Sequence, residues 1–373
     1  MTKLALSSFE IHGFRAFEHL KLEKLGRVNL FTGKNNVGKT SLLEALWVYA
    51  NQGSPSVLWS SLEGRDEGGS LPELRMTGGD EELENQIASV RYLFYGRKQS
   101  RSDSQKMEFG PLNNSRYHVT VKLTWAESVV DDLGNRRLRE AGQITEGMDT
   151  IPALLIQSGK NNNLIRLDRL FARSFRDQFS IQIESPCVFL PASGLSIIEI
   201  GKYWDNITLG PMENDVLNTL KIIEPDIERV NLIGTQKSSR MRERIPIVKV
   251  SSFATPIPLK SLGEGMNRMF GIALAIVNAK DGILLVDEIE SGLHYSVLRE
   301  MWHFIYEAAK QLNVQVFATT HSWDCITGFQ QAAQDNKEDG MLIRLANKKG
   351  KILPTYFDEK DLSIATREQI EVR

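Results

Sequence analysis

Short, unbroken apolar runs alternate along this chain with longer stretches of helical spacing. The runs are Val28-Asn29-Leu30-Phe31, Ile283-Leu284-Leu285-Val286 and Val314-Gln315-Val316-Phe317-Ala318, the last ending in Thr319-Thr320. Runs this short, rich in β-branched residues, predict strands buried on both faces, as in a parallel sheet. Helical patterns occur at 41–47, at 266–274 and at 213–223, with Pro225 as the break. A first strand is predicted over 3–11. Strict alternation at 89–95 and 118–125 predicts half-buried antiparallel strands, and 231–233 with 245–250 predicts a hairpin. Gly, Ser, Pro and acidic residues dominate 51–80, with Gly68-Gly69 and Gly78-Gly79 as turn signals, so an exposed loop is expected there. A second polar loop is expected over 131–147.

The strand pattern at 28–31 runs into Gly33-Lys34-Asn35-Asn36-Val37-Gly38-Lys39-Thr40-Ser41, which opens the helical pattern. This is a complete phosphate-binding loop in its proper context. Glycines let backbone N–H groups wrap a phosphate, and the helix N-terminus adds the positive end of its dipole. Lys39 reaches the outer phosphates and the Thr40 hydroxyl ligates magnesium. Far downstream the strand 283–286 ends in Asp287-Glu288. Ligands of open α/β sheets sit outside the carboxyl ends of the strands, so both carboxylates face the phosphates. Asp287 suits a water-mediated hold on magnesium, and Glu288 suits polarising the attacking water. The next strand ends in His321-Ser322, which places His321 to touch the terminal phosphate. Ser261-Leu262-Gly263-Glu264-Gly265 is a small-residue turn feeding the helix at 266–274, and its free N–H groups can bind an anion.

Taken in order, five stretches resemble the ATP-binding-cassette ATPases, and within them the RecF/SMC/OLD-like branch. They are Ile11-His12-Gly13-Phe14-Arg15-Ala16-Phe17, the loop 33–41, the turn 261–265, the segment 286–294 and Thr319-Thr320-His321-Ser322. The resemblance implies an α/β P-loop NTPase of the ABC-ATPase head type: a mixed sheet, an antiparallel β subdomain and a helical or loop insertion. It implies that Asn35, Asn36, Val37 and Ser41 join Gly33, Gly38, Lys39 and Thr40 around ATP and Mg2+. It makes Ser261, Gly263 and Gly265 a signature contacting the nucleotide of an opposite subunit, with Glu290-Ser291-Gly292 as the adjacent subunit-contacting loop. His321 becomes the switch histidine, and Arg15 a nucleotide contact. The signature departs from the usual Leu-Ser-Gly-Gly pattern, and no glutamine can be assigned to the coupling loop between lobes.

Composition narrows the function classes. The chain has 373 residues, 41% of them hydrophobic and 25% charged, with a formal net charge of −2. No global basic excess argues for nucleic acid, which leaves patches as the remaining route to it. Two cysteines, Cys187 and Cys325, supply neither a disulfide framework nor a zinc cluster, so a reducing cytoplasm is expected. No leader or membrane-spanning apolar stretch is seen, and no membrane partner is expected. There is no internal repeat and no heptad pattern for long coiled-coil arms. The expected division is 1–60 for the lobe with the phosphate loop, 61–240 for the β subdomain and insertion, and 241–373 for the lobe with the signature, acidic strand end and switch histidine.

Within the insertion, a helix over 164–176 would align Arg166, Arg169, Arg173 and Arg176 opposite Leu167, Leu170, Phe171 and Phe175. A solvated basic side is the plainer reading; a phosphate-backbone or acidic-partner contact is the sharper one. Segment 240–244 reads as a hairpin tip, and Tyr203-Trp204 as core or interface before base stacking. The resemblance favours an ATPase subunit of a prokaryotic defence or DNA-maintenance complex, acting as a dimer or higher oligomer. The alternatives are the energy subunit of a transporter or a slow nucleotide-gated scaffold. Too few residues follow His321 for an appended nuclease domain, and the acidic residues at 335–339 and 358–361 form no metal-ligand pattern. A separate effector chain is therefore expected.

Overall fold

The computed structural model describes residues 4–68, 80–97, 105–130, 136–141, 150–172, 185–234, 243–336 and 340–357. Its centre is a six-stranded sheet in the order Lys351–Phe357, Gly340–Lys348, Val28–Thr32, Gln315–Thr319, Ile283–Val286, Cys187–Leu190. The first two strands pair antiparallel; every other pairing is parallel. The three apolar runs singled out in the sequence thus lie side by side, and their carboxyl ends share one edge.

Side-chain alternation explains why these runs are apolar throughout. In the strand Ile283–Val286, Leu284 and Val286 enter one core while Ile283 and Leu285 enter the other. A sheet covered on both faces needs apolar residues at every position. One face carries the helices Glu264–Asn278, Leu298–Gln311 and Trp323–Asp335, with Ile197–Ile207, Pro211–Leu220 and a small three-stranded sheet beyond them. The other face carries the helix Lys39–Ala50, which is sandwiched against a seven-stranded antiparallel sheet. That sheet begins with the hairpin Phe9–Phe14 and Phe17–Leu22 and continues through Gln105–Gly110, Val119–Val130, Thr150–Ser158 and Asn161–Arg166; Arg136–Glu140 pairs beside Val119–Val130.

Several local expectations are corrected. The first strand is Phe9–Phe14 rather than 3–11. The segment 51–80 is not all loop: Pro55–Glu63 is a helix with proline in its first turn and Val57, Leu58 and Leu62 buried. The strand expected at 89–95 is instead the end of the helix Asp80–Arg91, in which Ile87 and Val90 are buried at helical spacing, followed by a turn, a single antiparallel bridge from Phe94 to Phe14 and the 3-10 turn Tyr95–Arg97. The helix expected over 164–176 is a strand to Arg166 followed by the short helix Leu167–Phe171. Arg166 turns back onto Asp168 at 2.7 Å, so it joins no continuous basic face. Arg173 and Arg176 lie outside the described residues, as do Arg240, Met241, Arg242, residues 337–339 and residues 358–361. The predicted hairpin is present as Ile227–Gly234 paired with Arg244–Val250. Trp204 is buried 6.0 Å from the Phe270 ring, a core placement. Among the described residues, no helix is long and apolar enough to cross a membrane.

Candidate active site

The loop between the strand Val28–Thr32 and the helix Lys39–Ala50 is shaped by positive backbone angles at Gly33 (φ 142°), Asn36 (φ 64°) and Gly38 (φ 90°). Side chains are excluded where the loop touches its surroundings. A Cβ on Gly33 would lie 2.3 Å from the Leu345 carbonyl oxygen, and one on Gly38 would lie 2.9 Å from the Phe17 ring. Lys39 Nζ donates to the Gly33 carbonyl at 2.7 Å and to that of Lys34 at 3.3 Å, so its ammonium spans the loop. Burial lowers its pKa, against the pull of Asp287, Glu288 and Glu290. Asn35 and Asn36 are exposed, whereas Val37 is buried in the core, so Val37 can offer a ligand only its backbone. Ser41 is buried too, its hydroxyl accepting from Arg65 at 3.1 Å.

Opposite the loop, Asp287 is almost fully enclosed. Thr40 Oγ1 donates toward its two carboxylate oxygens at 3.2 and 3.0 Å, and Thr319 Oγ1 donates to Oδ1 at 2.6 Å. Thr319 Oγ1 also accepts from the Glu288 N–H at 2.9 Å. Two strands of the central sheet and the helix Lys39–Ala50 thereby meet on one carboxylate. Glu288 adopts a left-handed backbone (φ 44°), and its side chain is 45% exposed. His321 Nδ1 lies 3.7 Å from Glu288 Oε1 and 3.6 Å from Glu290 Oε1, while its N–H donates to Glu290 Oε1 at 3.1 Å.

Behind the acidic turn stands Arg268, on the helix that starts at the small-residue turn. Its guanidinium donates to the carbonyls of Asp287 (2.6 Å), Glu288 (2.9 Å), Ile289 (3.4 Å) and Pro191 (2.8 Å). Burial pushes its pKa down to about 10, which leaves it charged at neutral pH. Sequence reasoning gave no role to Arg268 or to Thr319. The signal for Arg268 was an arginine inside an otherwise apolar helical pattern; for Thr319 it was the hydroxyl pair that closes the strand.

The remaining residues fall into two groups. Arg15 is 4% exposed in its side chain and pairs with Glu44 at 2.7 Å and with Glu67 at 2.7 Å, while also donating to the Ser61 carbonyl. Glu44 is shared with Arg65. Burial raises the Glu44 pKa, and Arg15 and Arg65 oppose that. Arg15 thus faces this buried clamp on the loop's own helix. Ser261 and Gly263 are exposed, and a Cβ on Gly263 would meet nothing within 4 Å. A Cβ on Gly265 would lie 3.0 Å from the Gly292 carbonyl oxygen. The small-residue turn and the segment 290–292 accordingly form one continuous surface.

Several known proteins are similar to this chain. The family model described as "AAA domain, putative AbiEii toxin, Type IV TA system" matches residues 28–324. An "ATP/GTP phosphatase" of Helicobacter pylori is 22% identical over 95% of this chain and 99% of its own length. The bacitracin transport ATP-binding protein of Bacillus licheniformis is 27% identical over 34% of this chain and 36% of its own length. Among solved structures, an SMC head bound to the C-winged helix domain of ScpA covers 95% of this chain and 98% of that one, at 11% identity and a TM-score of 0.48. With the family match spanning most of the chain, from the strand before the phosphate loop to beyond His321, the protein belongs to the AAA domain family described as putative AbiEii toxin, type IV TA system, and is a P-loop ATPase.

Proposed function

We propose that this chain is the ATP-hydrolysing subunit of a prokaryotic defence or DNA-maintenance complex, which pairs around ATP and Mg2+ and gates a separate effector. The observation that carries the catalytic part is the meeting of Thr40, Asp287 and Thr319, with Glu288 and His321 beside it. A hydroxyl next to an enclosed carboxylate is a hard-oxygen donor pair suited to magnesium. Thr40 would hold the ion and Asp287 would hold its water. Bound magnesium neutralises phosphate charge during transfer. Lys39 leaves its loop carbonyls for the outer phosphates, and backbone N–H groups from 33 to 41 wrap them. Glu288, exposed at the strand end, takes the proton of the attacking water, while His321 lies against the terminal phosphate.

Pairing is supported by the exposed Ser261 and Gly263, in a turn whose Gly265 approaches the Gly292 carbonyl, a surface that a second copy could place over a nucleotide. The defence or maintenance role, in the RecF/SMC/OLD-like sense, is supported by the toxin–antitoxin wording of the family and by the five stretches that resemble that branch. The transporter relative matches only a third of the chain and does not favour that reading.

Steady-state hydrolysis and size-exclusion light scattering test the proposal together. Glu288→Gln is expected to bind ATP, lose roughly 10²–10⁴-fold in turnover and accumulate as an ATP-bound pair. Wild-type turnover in that variant would remove Glu288 as the base; a mass unchanged by ATP would remove the pairing. The purified chain should leave single- and double-stranded DNA and RNA intact with magnesium or manganese. Cleavage that persists in Lys39→Ala would overturn the separate effector.

A further inference from the structure

Three of the six histidines, His12, His19 and His118, surround the Glu10 carboxylate on the antiparallel sheet. Glu10 and His12 alternate on the strand Phe9–Phe14, and His19 stands directly across the hairpin from His12. The strand period of two puts all three side chains on one face. His12 Nε2 lies 3.3 Å from Glu10 Oε2, and His19 Nε2 lies 3.4 Å from the same oxygen. The two imidazoles stack with centroids 3.8 Å apart. Among the described residues, this is the group whose metal-ligating atoms all fall within 4.8 Å of one another.

The carboxylate is positioned from behind. His118 Nε2 is 3.6 Å from the other oxygen of Glu10, and its Nδ1 is 2.7 Å from Glu108 Oε1, itself paired with Lys106. The His118 ring fits because Gly110 stands opposite Glu10 in the sheet: a Cβ there would lie 2.1 Å from the ring. A ligating carboxylate held by an outer partner is the usual construction of a metal site.

We propose that Glu10, His12 and His19 form a binding site for a zinc-class divalent transition metal, distinct from the magnesium of the nucleotide site. The separations decide the class. Ligands at ~2.0–2.1 Å around a tetrahedral ion stand about 3.3–3.4 Å apart, and both measured nitrogen–oxygen separations have that length. Two imidazoles with one carboxylate suit zinc and its first-row neighbours, whereas magnesium and calcium take oxygen ligands. His12 and His19 are about 40% exposed (42% and 38%), so a water can complete the coordination. The ion would tie together the two strands whose connecting turn carries Arg15 and Ala16 against the phosphate loop, where Ala16 Cβ and the Phe17 ring crowd Gly38.

Calorimetric titration of the EDTA-washed full chain with zinc chloride, in excess magnesium and without nucleotide, tests this. One saturable zinc site is expected, with affinity lowered about tenfold or more in His12→Ala, His19→Ala and Glu10→Gln, and unchanged in His303→Ala. Cobalt supplies a reading that needs no variant. Wild-type protein loaded with cobalt should show visible ligand-field bands that survive addition of excess magnesium. The proposal is overturned by absence of saturable zinc binding, by undiminished affinity in the His12→Ala/His19→Ala double variant, or by cobalt bands that disappear when excess magnesium is added.

Discussion

At the scale of single residues, the setting of Lys39 makes a measurable demand. Lys39 donates to two loop carbonyls and is desolvated, and burial lowers its pKa below the ordinary lysine value of 10.5. Phosphate recognition needs the charged form, and a lowered pKa means that this form is lost earlier as pH rises. ATP affinity is therefore expected to fall on the alkaline side sooner than an ordinary lysine would allow. Binding titrations across alkaline pH check this, and Lys39→Arg should flatten that limb because a guanidinium does not deprotonate there. Thr319 offers a second test. Its hydroxyl donates to Asp287 and accepts from the Glu288 N–H. Thr319→Val keeps the shape and leaves both partners short of a bond. Stability should fall by ~1–3 kcal/mol, with turnover reduced more than ATP affinity; unchanged turnover would make Thr319 purely structural.

At the scale of elements, Arg268 is the link between the helix Glu264–Asn278 and the turn after the strand Ile283–Val286. Four main-chain carbonyls converge on one guanidinium; three belong to the turn that aims Asp287 and Glu288, and the fourth, Pro191, follows the neighbouring strand Cys187–Leu190. The same helix begins at the small-residue turn. A shift of that turn is thereby coupled mechanically to the acidic pair. Arg268→Met keeps the apolar stem and orphans the carbonyls, so urea unfolding should show a loss of ~2–4 kcal/mol. Arg268→Lys reaches fewer acceptors and should recover part of that loss. Full stability in Arg268→Met would show that solvent satisfies the carbonyls instead.

At the scale of the whole molecule, one central sheet separates two cores, and the candidate site lies at the carboxyl edge of that sheet. The exposed turn 261–265 belongs to the helix side of that sheet, and the phosphate loop to the side facing the antiparallel sheet. If two copies share their sites, damage to each half on different chains should leave one intact composite site per mixed pair. Lys39→Ala removes the loop function, and Ser261→Arg fills the exposed turn without disturbing a buried contact. Each variant alone should be inactive, and equal mixing with random pairing should restore one site in each mixed pair, roughly a quarter of the wild-type rate. Mixed pairs that form and still fail to hydrolyse would place the whole site within one chain.

What the sequence determined by itself was whatever a few consecutive residues could encode. The string from Gly33 to Ser41 carries its own backbone chemistry, and the apolar runs with their polar ends name Asp287, Glu288 and His321 as strand-end residues. Local pattern failed where two periods fitted the same letters: Val90 and Phe94 suit alternation, yet Val90 lies in the helix Asp80–Arg91 with Ile87 buried one turn earlier, and Phe94 makes only a single bridge to Phe14. It failed again at Pro55–Glu63, where turn-rich flanks hid a buried helical face. Tertiary structure alone decided that Thr319 and Arg268 serve the acidic turn, that Arg15 is clamped with Glu44 and Arg65, and that Glu10, His12 and His19 share one point in space. These are contacts between segments, fixed by strand order and register. A chain read one window at a time contains the partners but not the pairing that brings their atoms within bonding distance.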